Sequence, residues 1–166
     1  MSQAVVLVGH GSVASDVPRS LVQRLRALEQ QRQSTGAPIS AEEVDLDRKV
    51  RQWPRNPTSD PYKAGIDAIA ARLRARVGRV VVAFNEFCAP SLEDAVHELA
   101  SEGVLQVTVV TTMLTPGGMH SEIEIPGSVH ALQRVYPEMR IRYAWPFDLD
   151  AVAGLLESAC TAALLQ

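Results

Sequence analysis

Ala4-Val5-Val6-Leu7-Val8-Gly9-His10-Gly11-Ser12 is the stretch whose reading decides the fold. Its five consecutive apolar residues carry no polar face and end at glycine, which is how a strand buried on both faces of a parallel sheet reads. The pattern returns along the chain. Val80-Val81-Val82-Ala83-Phe84 is a second such strand, Leu105 to Leu114 with Val107, Val109 and Val110 a third, and Ile141 to Trp145 a fourth.

Helical periodicity fills the intervals. Leu21, Leu25 and Leu28 recur among Arg, Gln and Glu after Asp16, which can cap, and Pro18, which can occupy the first turn. Ile66, Ile69, Ala70 and Leu73 form a second apolar face stopped by Gly78. Pro90 opens a third helix with Leu92, Ala95, Val96 and Leu99 inward and Gly103 at its end, Pro126 opens a fourth with Val129, Leu132 and Val135, and Asp148 to Leu165 closes the chain. From Ser34 to about Pro61 the pattern weakens, and Trp53-Pro54, Asn56-Pro57 and Asp60-Pro61 forbid a long helix or a central strand. A loop with one short helix around Glu42 to Val50 is expected there.

Strands alternating with helices imply right-handed crossovers, and hence an α/β three-layer sandwich around a four-stranded parallel sheet. One domain over residues 1–166, with a loop and helix insertion at about 34–63, is the expected organisation. A hydrophobic fraction of 46% supports a real core, and a formal charge of −3 provides no global basic field for nucleic acid. No basic patch with interleaved stacking aromatics compensates. Cys88 and Cys160 alone cannot make a disulfide scaffold or a cysteine zinc site. The first residues carry no basic leader, and no apolar run reaches the roughly 18 residues of a membrane span, so a cytoplasmic protein with no membrane partner is expected.

Ligands of open parallel sheets bind beyond the carboxyl ends of the strands. His10 follows the first strand, Glu86 the second, and His120 the third, after Thr115-Pro116-Gly117-Gly118-Met119, whose glycines let backbone approach a ligand closely. Two imidazoles and a carboxylate suit Fe, Co, Ni or Zn and suit Mg or Ca poorly. His97, among Glu93, Asp94, Glu98 and Glu102, reads as a solvated surface histidine, and His130 lies within a helix. Gly9-His10-Gly11-Ser12-Val13-Ala14 formally fits the dinucleotide fingerprint G-x-G-x-x-A, but Gly36-Ala37-Pro38-Ile39-Ser40 is a poor second strand and lacks the acidic ribose ligand. Walker and G-x-S-x-G motifs are absent, which leaves ATP-driven chemistry and a serine hydrolase without support.

Val8-Gly9-His10-Gly11-Ser12, Ala83-Phe84-Asn85-Glu86-Phe87 with Pro90-Ser91-Leu92, and Gly118-Met119-His120 with Glu124-Ile125-Pro126 together resemble the sirohydrochlorin chelatases of cobalamin and sirohaem synthesis. The resemblance leaves out about Ser34 to Lys63. It implies a class II, chelatase-like fold and ATP-independent insertion of a divalent metal (Co²⁺ first, or Fe²⁺ or Ni²⁺) into a tetrapyrrole, with no organic cofactor. It assigns His10 as ligand and proton acceptor, His120 as ligand, and Glu86 as the carboxylate beside the substrate. Ser12 and the Thr115, Pro116, Gly117, Gly118, Met119 loop are the expected substrate contacts. Val13, Ala89 and Glu124 depart from the usual pattern, where a basic residue, an acid and an aspartate are common.

A chain of this size resembles half of the longer two-lobed chelatases, which implies a homodimer. In the unmatched segment, Arg48, Lys49, Arg51, Arg55 and Lys63 around Trp53 and Tyr62 fit either a polycarboxylate substrate or a solvated basic loop. A protein that binds metal or tetrapyrrole without turnover would use the same ligands.

Overall fold

Val6 pairs with Val81 on one side and with Val109 on the other, which makes the first strand an interior one and explains why its sequence shows no alternation. The computed structural model describes residues 2–164. The strands are β1 (Gln3–Gly9), β2 (Val80–Phe84), β3 (Gln106–Thr111) and β4 (Arg140–Tyr143), all parallel, in the spatial order β2-β1-β3-β4. The helices are α1 (Arg19–Thr35), α2 (Ala41–Arg51), α3 (Pro61–Val77), α4 (Leu92–Ser101), α5 (Ile125–Val135) and α6 (Leu149–Leu164). The α/β class and the four-stranded parallel sheet are those expected from the sequence.

The two faces of the sheet are covered unequally. One presents Ala4, Val6, Val8, Ala83, Val107, Val109 and Ile141 to the apolar sides of α4 and α5, where Leu92, Val96, Leu99, Ile125, Val129 and Leu132 complete the main core. At roughly 1.5–3 kcal/mol per large apolar side chain removed from water, this layer dominates the stability. The opposite face is covered by α3, whose Ile66 and Ala70 pack with Leu7, Val80, Phe84 and Cys88 over the β1 and β2 half. Helices α1 and α2 pack on each other in a third, smaller core of Ala14, Val17, Leu25, Leu46 and Val50.

Several helix starts differ from expectation. Pro18 itself holds the cap position of α1, and Asp16 accepts a hydrogen bond from the Trp53 indole instead of capping. Pro90 lies outside α4, which starts from a capping box between Ser91 and Asp94. Pro126 is the second residue of α5, and a π-helical turn, His120–Glu124, runs into that helix from the amino side. The missing N–H of proline is harmless in a first turn, so its presence marked the region but not the boundary. Between residues 34 and 63, α1 persists to Thr35 and α2 is capped by Ser40, so the expected short helix is present with brief connections on either side. Of the closing helix read as Asp148 to Leu165, Leu165 lies outside the described residues. Among the described residues no helix is long and apolar enough to cross a membrane.

Candidate metal centre at the carboxyl edge of the sheet

The hydrogen-bond ladder between β1 and β2 continues past both strands. Asn85 N–H donates to the Gly9 carbonyl at 3.0 Å and Glu86 N–H to the His10 carbonyl at 2.8 Å, which sets His10 and Glu86 side by side. Only glycine fits next. Gly11 has φ +96°, and a Cβ there would lie 1.8 Å from the Glu86 carbonyl oxygen. On the other side of β1, Thr112 N–H donates to the Val8 carbonyl at 3.1 Å, and the chain then returns through the Thr115–Met119 loop to present His120 on the first turn before α5.

His10, Glu86 and His120 are thereby brought together, each half-buried, with one ligand atom from each lying within 4.8 Å of the others. Nε2 of His10 stands 3.9 Å from one Glu86 oxygen and Nε2 of His120 3.9 Å from the other, too far for hydrogen bonds. The two rings meet edge to face with centroids 4.9 Å apart. Each imidazole is oriented through its other nitrogen. Nδ1 of His10 lies 2.9 Å from the Gly11 carbonyl, an acceptor, so that nitrogen carries the proton and Nε2 keeps its lone pair toward the cluster. Nδ1 of His120 lies 2.7 Å from Oε2 of Glu124, which also accepts from the Asn85 amide at 2.7 Å. Burial alone would raise the Glu124 carboxyl, but the hydrogen bonds from Asn85 and His120 outweigh it and hold the group below its ordinary range. A carboxylate that holds the far nitrogen of a ligating histidine fixes its ring and raises its basicity.

Asn85 and Glu124 are functional candidates that the residue-by-residue reading passed over. A signal existed in the four-residue spacing of His120 and Glu124, which places both on one side of a helical turn. Ser12 is placed differently from the ligands: its hydroxyl donates to Asp60 at 2.8 Å and its carbonyl accepts from Arg55 at 2.8 Å. Thr115, Gly118 and His120, with Met113 and Leu114, line an open cavity of about 530 Å³, while Met119 projects into solvent. A second cavity, of about 290 Å³, has Glu86, Asn85 and Glu124 on its wall with Arg32 and Arg51.

The basic residues of the 34–63 segment and its border are committed to the protein itself. Arg48 and Lys49 pair with Asp45, Arg51 with Asp47, and Lys63 with Asp67, each within a helix. Arg55 is buried against Asp60 and also donates to the carbonyls of Ser12, Val50 and Phe87. Trp53 is tied to Asp16, and the Tyr62 hydroxyl accepts from the His10 N–H. His97 and His130 are exposed and are not members of the cluster; His97 pairs with the Tyr136 hydroxyl. The dinucleotide geometry is not formed, because α1 begins only at Arg19 and residues 36–40 make no strand.

Fold and site together define an open parallel α/β protein carrying a two-histidine, one-carboxylate cluster whose donors suit borderline transition-metal ions. The chain belongs to the CbiX family, whose profile matches residues 58–160, a span that holds Asn85, Glu86, His120 and Glu124 and starts after the loop bearing His10. The family read from the sequence motifs is thus the one found. Among solved structures, a CbiX protein assigned to cobalamin (vitamin B12) biosynthesis from Marinobacter aquaeolei VT8 is similar at 19% identity and a TM-score of 0.60, over 99% of this chain and 96% of that one. The sirohydrochlorin chelatase SirB of Bacillus subtilis subspecies spizizenii, in complex with cobalt, shares 20% identity over 88% of this chain and 44% of its own length, with a TM-score of 0.46. SirB from Bacillus subtilis with Fe³⁺ shares 19% identity over 95% and 46%, with a TM-score of 0.49. The chain therefore spans less than half the length of either SirB. No curated protein matches the sequence significantly.

Proposed function

We propose that this protein inserts a divalent metal ion into sirohydrochlorin or a closely related tetrapyrrole, without ATP, in cobalamin or sirohaem synthesis. The observation that carries the reading is the cluster of His10, Glu86 and His120, within 4.8 Å of one another at the ligand-binding edge of a CbiX-family chain. In the reaction two pyrrole N–H protons leave as the ion exchanges water for macrocycle nitrogens, so the products are the metallated ring and two protons. His10 and His120 hold the incoming ion through Nε2, the nitrogens that their hydrogen bonds to Gly11 and Glu124 leave available. Glu86 completes the coordination or takes a proton, and His10 accepts a proton once the ion has moved into the ring. Glu124 and Asn85 keep the His120 ring in place.

Thr115 and Gly118, which line the larger cavity, together with Pro116, Gly117, Met119 and Ser12 are the proposed contacts for the ring. Cobalt is the first choice of metal, with iron or nickel next; the chain works as one chelatase-like unit, in the cytoplasm, as a homodimer. The deciding measurement mixes purified protein, sirohydrochlorin and Co²⁺, Fe²⁺ or Ni²⁺ without ATP and follows the absorbance of the macrocycle. Metallation faster than in the protein-free control is expected. A rate equal to the control, with metal or tetrapyrrole still bound, assigns the protein to binding without turnover.

A further inference from the structure

His10 and His120 are each aimed by a hydrogen bond at Nδ1, whereas the Glu86 carboxylate, 3.9 Å from each facing Nε2, accepts no hydrogen bond among the described residues. Its direction is therefore set by its backbone. Phe87, the next residue, has φ 57°, a left-handed conformation that is unfavourable for a bulky side chain. Such a residue persists only where its surroundings over-determine it.

Those surroundings are built by two arginines that precede residue 58, where the family match begins. The successive carbonyls from Asn85 to Cys88 each accept a hydrogen bond. Arg51 reaches two of them, Asn85 at 3.1 Å through Nη2 and Cys88 at 3.5 Å through Nη1. Arg55 donates to that of Phe87, and the Cys88 N–H to that of Glu86 at 2.7 Å. The Arg51 carbonyl in turn accepts from the Ala89 N–H at 3.1 Å. One residue at the end of α2 thus grips the loop at Asn85, Cys88 and Ala89, on both sides of Glu86 and Phe87. Its Nε donates to Asp47, one turn back in the same helix, at 2.8 Å, so all three guanidinium nitrogens are engaged within the protein.

Arg55 has a similar hold on Phe87, but it is buried against Asp60, and its loss would disturb the whole fold. Arg51 is the separable part. Its carboxylate partner is a half-buried residue of its own helix, so replacing the cation leaves no fully buried charge behind.

We propose that Arg51 is a positioning residue for the metal cluster: by spanning the Asn85 and Cys88 carbonyls it holds the loop in the bend that aims Glu86 at His10 and His120. This rests on the reading of those three residues as metal ligands. Charge alone predicts the opposite effect. A guanidinium near the site repels an incoming cation, so its removal would tighten metal binding, whereas loss of the grip loosens it.

Co²⁺ titrations of the full chain by calorimetry, with the visible spectrum of the bound ion, test the proposal on wild type, R51M, E86Q and R51M/E86Q. R51M is expected to weaken Co²⁺ binding by about 10–100-fold, the range for residues that support a metal ligand, and to move the cobalt bands toward those of E86Q. The double variant is expected to bind no more than about twofold more weakly than E86Q, because residues that act through one another are not additive. Arg51→Lys keeps the charge and the Asp47 pair but has no planar fork to span two carbonyls. It is expected to weaken binding in the same sense, and it takes the place of R51M in the cycle if the methionine variant does not fold. Wild-type or tighter affinity in a folded R51M or R51K overturns the proposal; a raised KM for sirohydrochlorin would then assign the guanidinium to an acid arm of the ring. Fully additive losses in the double variant overturn it as well, since Arg51 then acts elsewhere than through Glu86. E86Q with wild-type affinity overturns the ligand reading and this proposal together, whereas E86Q weakened with R51M unchanged overturns this proposal alone.

Discussion

Two polar clusters flank the loop after β1, and they have been finished in opposite ways. Ser12, Arg55 and Asp60 form the closed one. Asp60 is fully buried, receives the Ser12 hydroxyl, the Lys63 N–H and the Arg55 guanidinium, and caps α3, while Arg55 also supplies three carbonyls. His10, Glu86 and His120 form the open one, half-buried, with their facing atoms 3.9 Å apart and unbonded. Polar groups paired with one another inside a fold, as Ser12, Arg55 and Asp60 are apart from the unpartnered Nε of Arg55, are hard to recruit for anything else, whereas groups held in place by outer partners but not by each other can receive an ion. The difference separates structure from chemistry within four residues of sequence.

Replacing members of each cluster should move different observables. Asp60→Ala leaves a buried guanidinium unpaired and is expected to cost about 3–5 kcal/mol in urea unfolding, the usual penalty for breaking a buried pair. His10→Ala, by contrast, is expected to change stability by no more than about 0.5 kcal/mol, in the range of surface substitutions. Equal destabilisation by the two changes would erase the distinction between the clusters.

On the open side, His120→Ala should weaken Co²⁺ binding, measured by calorimetry, by more than about 100-fold. Glu124→Gln should weaken it by about 10–100-fold, the range for an outer partner of a metal-ligating histidine, with the unfolding midpoint unchanged. A Glu124 variant that binds metal as wild type does would remove the orienting role assigned to the carboxylate.

The smallest effect is expected in acid. Burial alone would raise the Asp60 carboxyl, but the backbone bond from Lys63 and those from Ser12 and Arg55 hold it below its ordinary value. A folded-state value below the unfolded one means that its contribution is complete above the ordinary aspartate value of about 3.9 and is lost as pH falls from there through the folded-state value. Asp60→Asn should flatten that limb of a stability-against-pH curve; an unchanged limb would assign the acid sensitivity to other carboxylates.

How much of this was legible in the sequence varies with how local the cause is. Strands β1 and β2 were readable because continuous burial leaves a continuous apolar run, and the direction of parallel strands puts His10, Glu86 and His120 at one edge of the sheet. The π-helical turn from His120 to Glu124 was not readable, since the preceding glycines and the following proline both mimic a loop. Nor were the duties of the Arg48 to Lys63 basic residues, because their partners, Asp45, Asp47, Asp60 and Asp67, lie within five residues and cancel charges that a count of cations leaves standing.

Gly11 and Ser12 have a thermodynamic consequence of their own. The backbone on the carboxyl side of His10 is clamped by Asp60 and Arg55, and Gly11 lies in contact with the Glu86 carbonyl. The conformational entropy lost in setting His10 and Glu86 side by side is therefore paid when the chain folds, and an ion bound at the proposed cluster would have little ordering left to do.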